Sequence, residues 1–130
     1  MSNIAAIKQG EFEASAVVEG NAILVRLWGD ADLRVNGALG PFLASVDEEA
    51  RKSGLGEVVA DFRELVFMNS SCLKEFVEWI SRVEDRPATD GYRIRFLSDP
   101  TMHWQARSLH ALRSFAPDRV HIENHIGSVP

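Results

Sequence analysis

Four consecutive residues, Asn69-Ser70-Ser71-Cys72, carry the chain's densest reactive chemistry: two hydroxyls and a thiol beside a side-chain amide. They follow the mainly apolar run Val58-Val59-Ala60-Asp61-Phe62 to Phe67-Met68 and precede an apolar stripe at helical spacing. A serine at a helix start has two readings. It can cap the helix, worth about 1 kcal/mol against alanine. It can also accept a phosphate, because free N–H groups and the helix dipole favour an anion there. Asn69 reads either as a turn residue or as the N-cap itself. A thiol in a first helical turn has a lowered pKa in principle. The chain has a single cysteine and no neighbouring base in sequence, so Cys72 reads as a small semi-buried residue rather than a nucleophile. Asp30 and Asp32 have the spacing of paired carboxylates; turn formers that cap the following helix are the simpler reading. His103 and His110 lie seven apart, and His121 and His125 flank a short strand. Zinc sites use closer pairs or further ligands, so no metal is expected.

These groups must be positioned by strands and helices that the hydrophobic pattern delineates. Phe12–Glu19 and Ala22–Trp28 read as two strands joined by a Gly20-Asn21 hairpin turn. The second is nearly all apolar, which suits cover on at least part of both faces. Leu39, Phe42, Leu43, Val46 and Ala50 form one helical stripe, with Pro41 near the first turn and Gly54 as C-terminal cap. Glu57–Phe62 is a third strand, followed by a short loop. A helix then starts near Asn69 or Ser70, with Leu73, Phe76, Val77, Ile80 and Val83 as its stripe. Trp79 falls beside that stripe and reads as the exposed aromatic of the helix, suited to anchor a partner. Beyond the polar loop Asp85–Gly91, Tyr92–Leu97 is a fourth strand. Ser98-Asp99-Pro100-Thr101 announces a helix striped by Met102, Ala106, Leu109 and Leu112, and Arg119–Glu123 is a final strand. A hairpin followed by alternating helices and strands implies one mixed sheet.

With 130 residues the chain suits one core. The organisation expected is a lead-in over 1–10, one domain over 11–123 and a short tail over 124–130. A net charge of −5 and no Lys/Arg cluster weigh against nucleic acid or anionic membrane as partner. No apolar run approaches the roughly 20 residues that span a bilayer. Met1-Ser2-Asn3-Ile4 does not open a secretory signal, and a lone cysteine suits a reducing cytoplasm.

The order of elements and two segments resemble the STAS domain, the fold of bacterial anti-sigma factor antagonists. Val58-Val59-Ala60-Asp61 is similar to the family's strand. Phe67-Met68-Asn69-Ser70-Ser71-Cys72-Leu73 is similar to its loop and helix start. Gly29-Asp30-Ala31-Asp32-Leu33, followed by Ala38–Pro41 and Leu43, is similar to its first strand-to-helix connection. Asn69 stands where many members have Asp, and Cys72 where they have Gly. The terminal helix that often completes the fold is expected to be absent or very short.

The resemblance implies an α/β fold: a single STAS-like domain, a mixed central sheet and helices packed mainly on one face. It implies a cytoplasmic, non-enzymatic binding protein in a partner-switching pathway. The unmodified protein would bind a serine kinase that doubles as an anti-sigma factor. Phosphorylation at Ser70, with Ser71 as the alternative, would release it, and a PP2C-type phosphatase would reverse the modification. The ATP would belong to the kinase, so no cofactor is implied. The partner surface expected comprises Asp30, Asp32, Asn36, Asn69, Ser70, Ser71, Cys72, Lys74 and Trp79. Two other classes stay open: an unphosphorylated STAS scaffold in a transporter or sensory complex, and an enzyme using Cys72 or Ser70 as nucleophile.

Overall fold

A computed structural model describes residues 4–87, 89 and 91–124. Residues 125–130 of the expected tail, including His125, therefore lie outside the described residues. The chain opens with β1 (Ile7–Gln9), β2 (Phe12–Glu19) and β3 (Ala22–Ala31), paired antiparallel in succession. Gly20 takes φ 61°, which fits the first central position of a two-residue hairpin turn. Three crossovers follow: α1 (Asn36–Lys52) to β4 (Glu57–Met68), α2 (Ser70–Glu84) to β5 (Arg93–Ser98), and α3 (His103–Ser114) to β6 (Val120–Asn124). Each crossover joins parallel neighbours, giving a mixed six-stranded sheet in the order of the sequence. This is the α/β architecture with a mixed sheet that the sequence implies.

One core lies between the sheet and the helices. Ile23, Val25 and Leu27 of β3 are buried beside Val58, Ala60 and Phe62 of β4 and Ile94 and Phe96 of β5. Against them pack Leu39, Phe42, Leu43 and Val46 of α1, Phe76, Ile80 and Val83 of α2, and Leu109 and Leu112 of α3. Phe62 is the hinge of the aromatic cluster, edge-on to both Phe76 and Phe96 at 5.3 and 5.2 Å. The apolar look of β3 has a different origin from cover by elements on both faces. Its outward residues Leu24 and Trp28 are half-buried by neighbouring side chains, and Arg26 is exposed, its guanidinium 5.2 Å from the Trp28 ring.

Four local differences from the sequence expectation bear on the site. First, β4 does not stop at Phe62. It pairs with β3 as far as Met68, absorbing extra residues at two register shifts opposite Arg26–Trp28 and Gly29–Asp30. Second, α1 starts at Asn36, so Pro41 lies inside the helix, where it cannot donate to the Gly37 carbonyl. Its C-terminus is as expected: Gly54 at φ 63° closes the helix, Leu55 N–H bonding back to the Ala50 carbonyl at 2.9 Å. Third, Ala106 is exposed, and the α3 stripe carries the buried polar Gln105 instead. Fourth, Trp79 is fully buried. The α2 stripe is wide enough to include it, and its indole N–H donates to Tyr92 Oη at 2.8 Å. The expectation of Trp79 as an exposed partner anchor is therefore corrected: a buried, hydrogen-bonded indole cannot reach a partner.

Candidate functional site

Tight backbone constraints bring two connections together at one end of the sheet. Gly29, at φ 83°, turns β3 beside the β1–β2 turn, where a side chain would run into the Glu11 carbonyl. That carbonyl accepts from Asp30 N–H at 3.1 Å. Across the sheet Asp30 pairs with Phe67 and Ala31 with Met68. Asn69 N–H then donates to the Ala31 carbonyl at 2.9 Å, so α2 starts directly against the exit of β3. Cys72 Sγ, 3.5 Å from the Asp32 carbonyl, adds a weak third tie.

Asn69 resolves as the N-cap. Its backbone is extended, and its side-chain oxygen accepts from Cys72 N–H at 2.9 Å. The first intrahelical bond runs from Leu73 N–H to the Asn69 carbonyl. The N–H groups of Ser70 and Ser71 thus precede the hydrogen-bonded turns, as orphan donors at the positive end of the helix dipole. Ser70 is exposed and Ser71 half-buried. Neither is the cap, which removes the simplest structural role for the two hydroxyls. Lys74, one turn beyond Ser70, is exposed on the same side of the helix.

The acidic residues have been redistributed relative to expectation. Asp32 does not cap α1, whose N-cap Val35 has no side-chain partner. It closes its own turn instead, accepting from Arg34 N–H at 3.0 Å and pairing with the Arg34 guanidinium at 2.8 Å. The hydrogen bonds from Arg34 hold its carboxyl below the usual carboxylate range. Asp30 is a half-buried strand residue. Asn36, the first residue of α1, is half-buried, and its side-chain oxygen has no partner among the described residues.

Cys72 is fully buried, and burial pushes its thiol up to about 11, with the negative charges of Asp32 and Glu75 adding to the shift. Desolvation and nearby carboxylates outweigh the helix terminus, so the thiol stays protonated near neutral pH. His103, His110 and His121 are exposed, and among the described residues no three metal-ligating side chains cluster.

Sequence reasoning missed the apolar part of this end of the molecule. Leu33 is 70% exposed, Val66 58% and Phe67 47%. They sit in the segments on either side of the Asn69–Ala31 tie, Leu33 in the β3–α1 connection and Val66-Phe67 at the end of β4. The signal was present as Leu33 between two charged residues and as Val66-Phe67 before the cap. Reading that pair as loop hid the strand that presents them.

The remaining resemblance is to a solved structure. No protein-family model and no curated protein matches this sequence. An anti-sigma factor antagonist from Mycobacterium paratuberculosis superposes with a TM-score of 0.61, covering 85% of each chain at 15% identity. The chain has the fold of an anti-sigma factor antagonist. That is the STAS-like architecture implied by the sequence resemblance. In the antagonist fold as built here, the β3–α1 connection, the end of β4 and the start of α2 converge on Ser70. Among the described residues no helix is long and apolar enough to cross a membrane.

Proposed function

We propose that this protein acts by binding rather than catalysis, as an anti-sigma factor antagonist whose partner surface is Ser70 with its adjoining segments. The reading rests on one observation: an exposed hydroxyl at the first position of a helix capped by another residue, with the exposed Leu33, Val66 and Phe67 in the two segments that adjoin it, on a fold of this kind. Exposed apolar side chains grouped at one place mark interaction surfaces. The partner is a serine kinase of the anti-sigma type, working in the cytoplasm. Phosphorylation at Ser70 releases it, and a PP2C-type phosphatase restores binding. A phosphate there adds about −1.5 to −2 charges. Two orphan N–H groups, the helix dipole and Lys74 tolerate that charge within the fold. An apolar partner face does not, because it would have to desolvate it.

Negative charge at the same spot is the observation behind a second reading. Asp32 and Glu75 both act on Cys72 as negative neighbours, and they oppose a phosphate on Ser70. Arg34 neutralises Asp32, which leaves Glu75 against Lys74 and the helix terminus. On that balance the phosphorylated form is accessible, and a permanently bound, unphosphorylated scaffold is the alternative. Phosphosite mapping of the protein isolated from its own host separates the two. A phosphate on Ser70 supports switching; a chain unmodified under all growth conditions supports the scaffold. A nucleophilic Cys72 is disfavoured by its buried, protonated thiol.

A further inference from the structure

β4 carries an unusual load after Asp61. Its pairing with β5 ends at Asp61–Leu97, where the chain leaves the sheet for α3. The next seven residues of β4 therefore have β3 on one side and no strand on the other. Buried carbonyls on that open side need donors. The side-chain amide of Gln105, 1% exposed, supplies them. Its Nε2 donates to the Phe62 carbonyl at 2.6 Å and to the Leu65 carbonyl at 3.0 Å. Its Oε1 accepts from Asp99 N–H at 2.9 Å, which fixes the amide from the β5–α3 connection. Both carbonyls lie where β4 slips register against β3, opposite Arg26–Trp28 and Gly29–Asp30.

We propose that Gln105 is a positioning residue for the Ser70 surface: its amide stands in for the missing strand, holds the two irregular turns of β4, and so sets how Val66, Phe67 and Ser70 are presented. This inference deepens the partner-binding reading and rests on it for its functional consequence, but not for its structural one. The amide is suited to the task because one group donates twice and accepts once. An aliphatic side chain of the same length fills the space and leaves two carbonyls unpaired. A carboxylate of the same shape sets negative charge against them, whereas the protonated acid restores one donor.

Hydrogen exchange read by segment tests it in the full chain. The measured quantity is the exchange rate over residues 65–70 relative to that over 57–61 of β4 and 93–97 of β5, which have strands on both sides. Gln105→Met is expected to raise this ratio about tenfold or more. Leu109→Val, which loosens α3 with the amide intact, is expected to leave it near one. Should Gln105→Met fail to fold, Gln105→Glu gives the same test through pH: the ratio is raised at pH 8 and falls back toward wild type at pH 5. A ratio unchanged in Gln105→Met, raised equally by Leu109→Val, or insensitive to pH in Gln105→Glu overturns the proposal. If the ratio rises in Gln105→Met while capture of the kinase is unaffected, the positioning stands and the Ser70 surface is not the partner surface.

Discussion

Replacing Asn69 by Ala removes one defined interaction, the bond from Cys72 N–H to the Asn69 side chain. N-cap losses cost about 0.5–2 kcal/mol. The upper part of that range applies here, because Cys72 is fully buried and water cannot readily replace the lost acceptor at its N–H. The expected loss is therefore about 1.5–2 kcal/mol. With an unfolding entropy near 2.1 cal/mol/K per residue, this lowers Tm by roughly 5–7 °C for a chain of this length. Asn69→Asp keeps the acceptor and adds a charge the helix dipole favours by about 0.3–1 kcal/mol. The carboxylates of Asp32 and Glu75 offset part of that gain, so Asn69→Asp should lie within about 0.5 kcal/mol of wild type. Urea unfolding followed by circular dichroism measures both variants. An alanine variant as stable as wild type, or an aspartate variant as damaged as the alanine one, refutes the capping argument. It would also remove the reason for assigning Ser70 a role other than cap.

A buried network at the opposite end of the sheet from the site makes a pH prediction. Asp47 accepts from Tyr92 Oη at 2.7 Å and from the two terminal guanidinium nitrogens of Arg86. Burial alone would raise its pKa; the bonds from Arg86 and Tyr92 outweigh that and hold the carboxyl below its ordinary value. Its stabilisation is complete above the unfolded carboxylate pKa of about 3.9 and is lost as pH falls through the folded value. Asp47→Asn should cost about 3 kcal/mol at pH 7 and flatten the dependence of stability on pH below about 4, as measured by urea midpoints across that range. Trp79→Ala should cost about 3–5 kcal/mol in unfolding experiments, as a core residue does, and an effect on partner binding without loss of stability would contradict its buried placement. Leu33→Asp should leave the unfolding free energy measured in urea within about 0.5 kcal/mol of wild type, since the side chain is 70% exposed.

Local chemistry made much of this molecule legible in the sequence. The hairpin at Gly20-Asn21, the Gly54 cap and the stripes of α1 and α2 follow from turn requirements and periodicity, and the element order followed from them. The failures share a cause: a pattern along one segment does not reveal what lies beside it. Val66-Phe67 read as loop because their strand pairing depends on β3 running to Ala31. Trp79 sat one position off a narrow stripe, and only the hydroxyl of Tyr92, just before β5, shows why an indole belongs inside. Gln105 falls outside the stripe of Met102, Ala106, Leu109 and Leu112, and the carbonyls it serves are about 40 positions away. At the site, sequence located Ser70 and the Asp30–Asp32 connection. It could not tell which residue caps α2, nor that Asp32 is committed to Arg34.

Affinity capture from extracts of the native host tests the central claim most directly. The bait is the wild-type chain beside its Ser70→Ala, Ser70→Asp and Leu33→Asp forms, and bound serine kinases of the anti-sigma type are quantified by mass spectrometry. The account predicts that wild type and Ser70→Ala retain such a kinase, and that Ser70→Asp and Leu33→Asp lose it at least tenfold while remaining folded. A kinase held equally by all four forms, or by none, would contradict it.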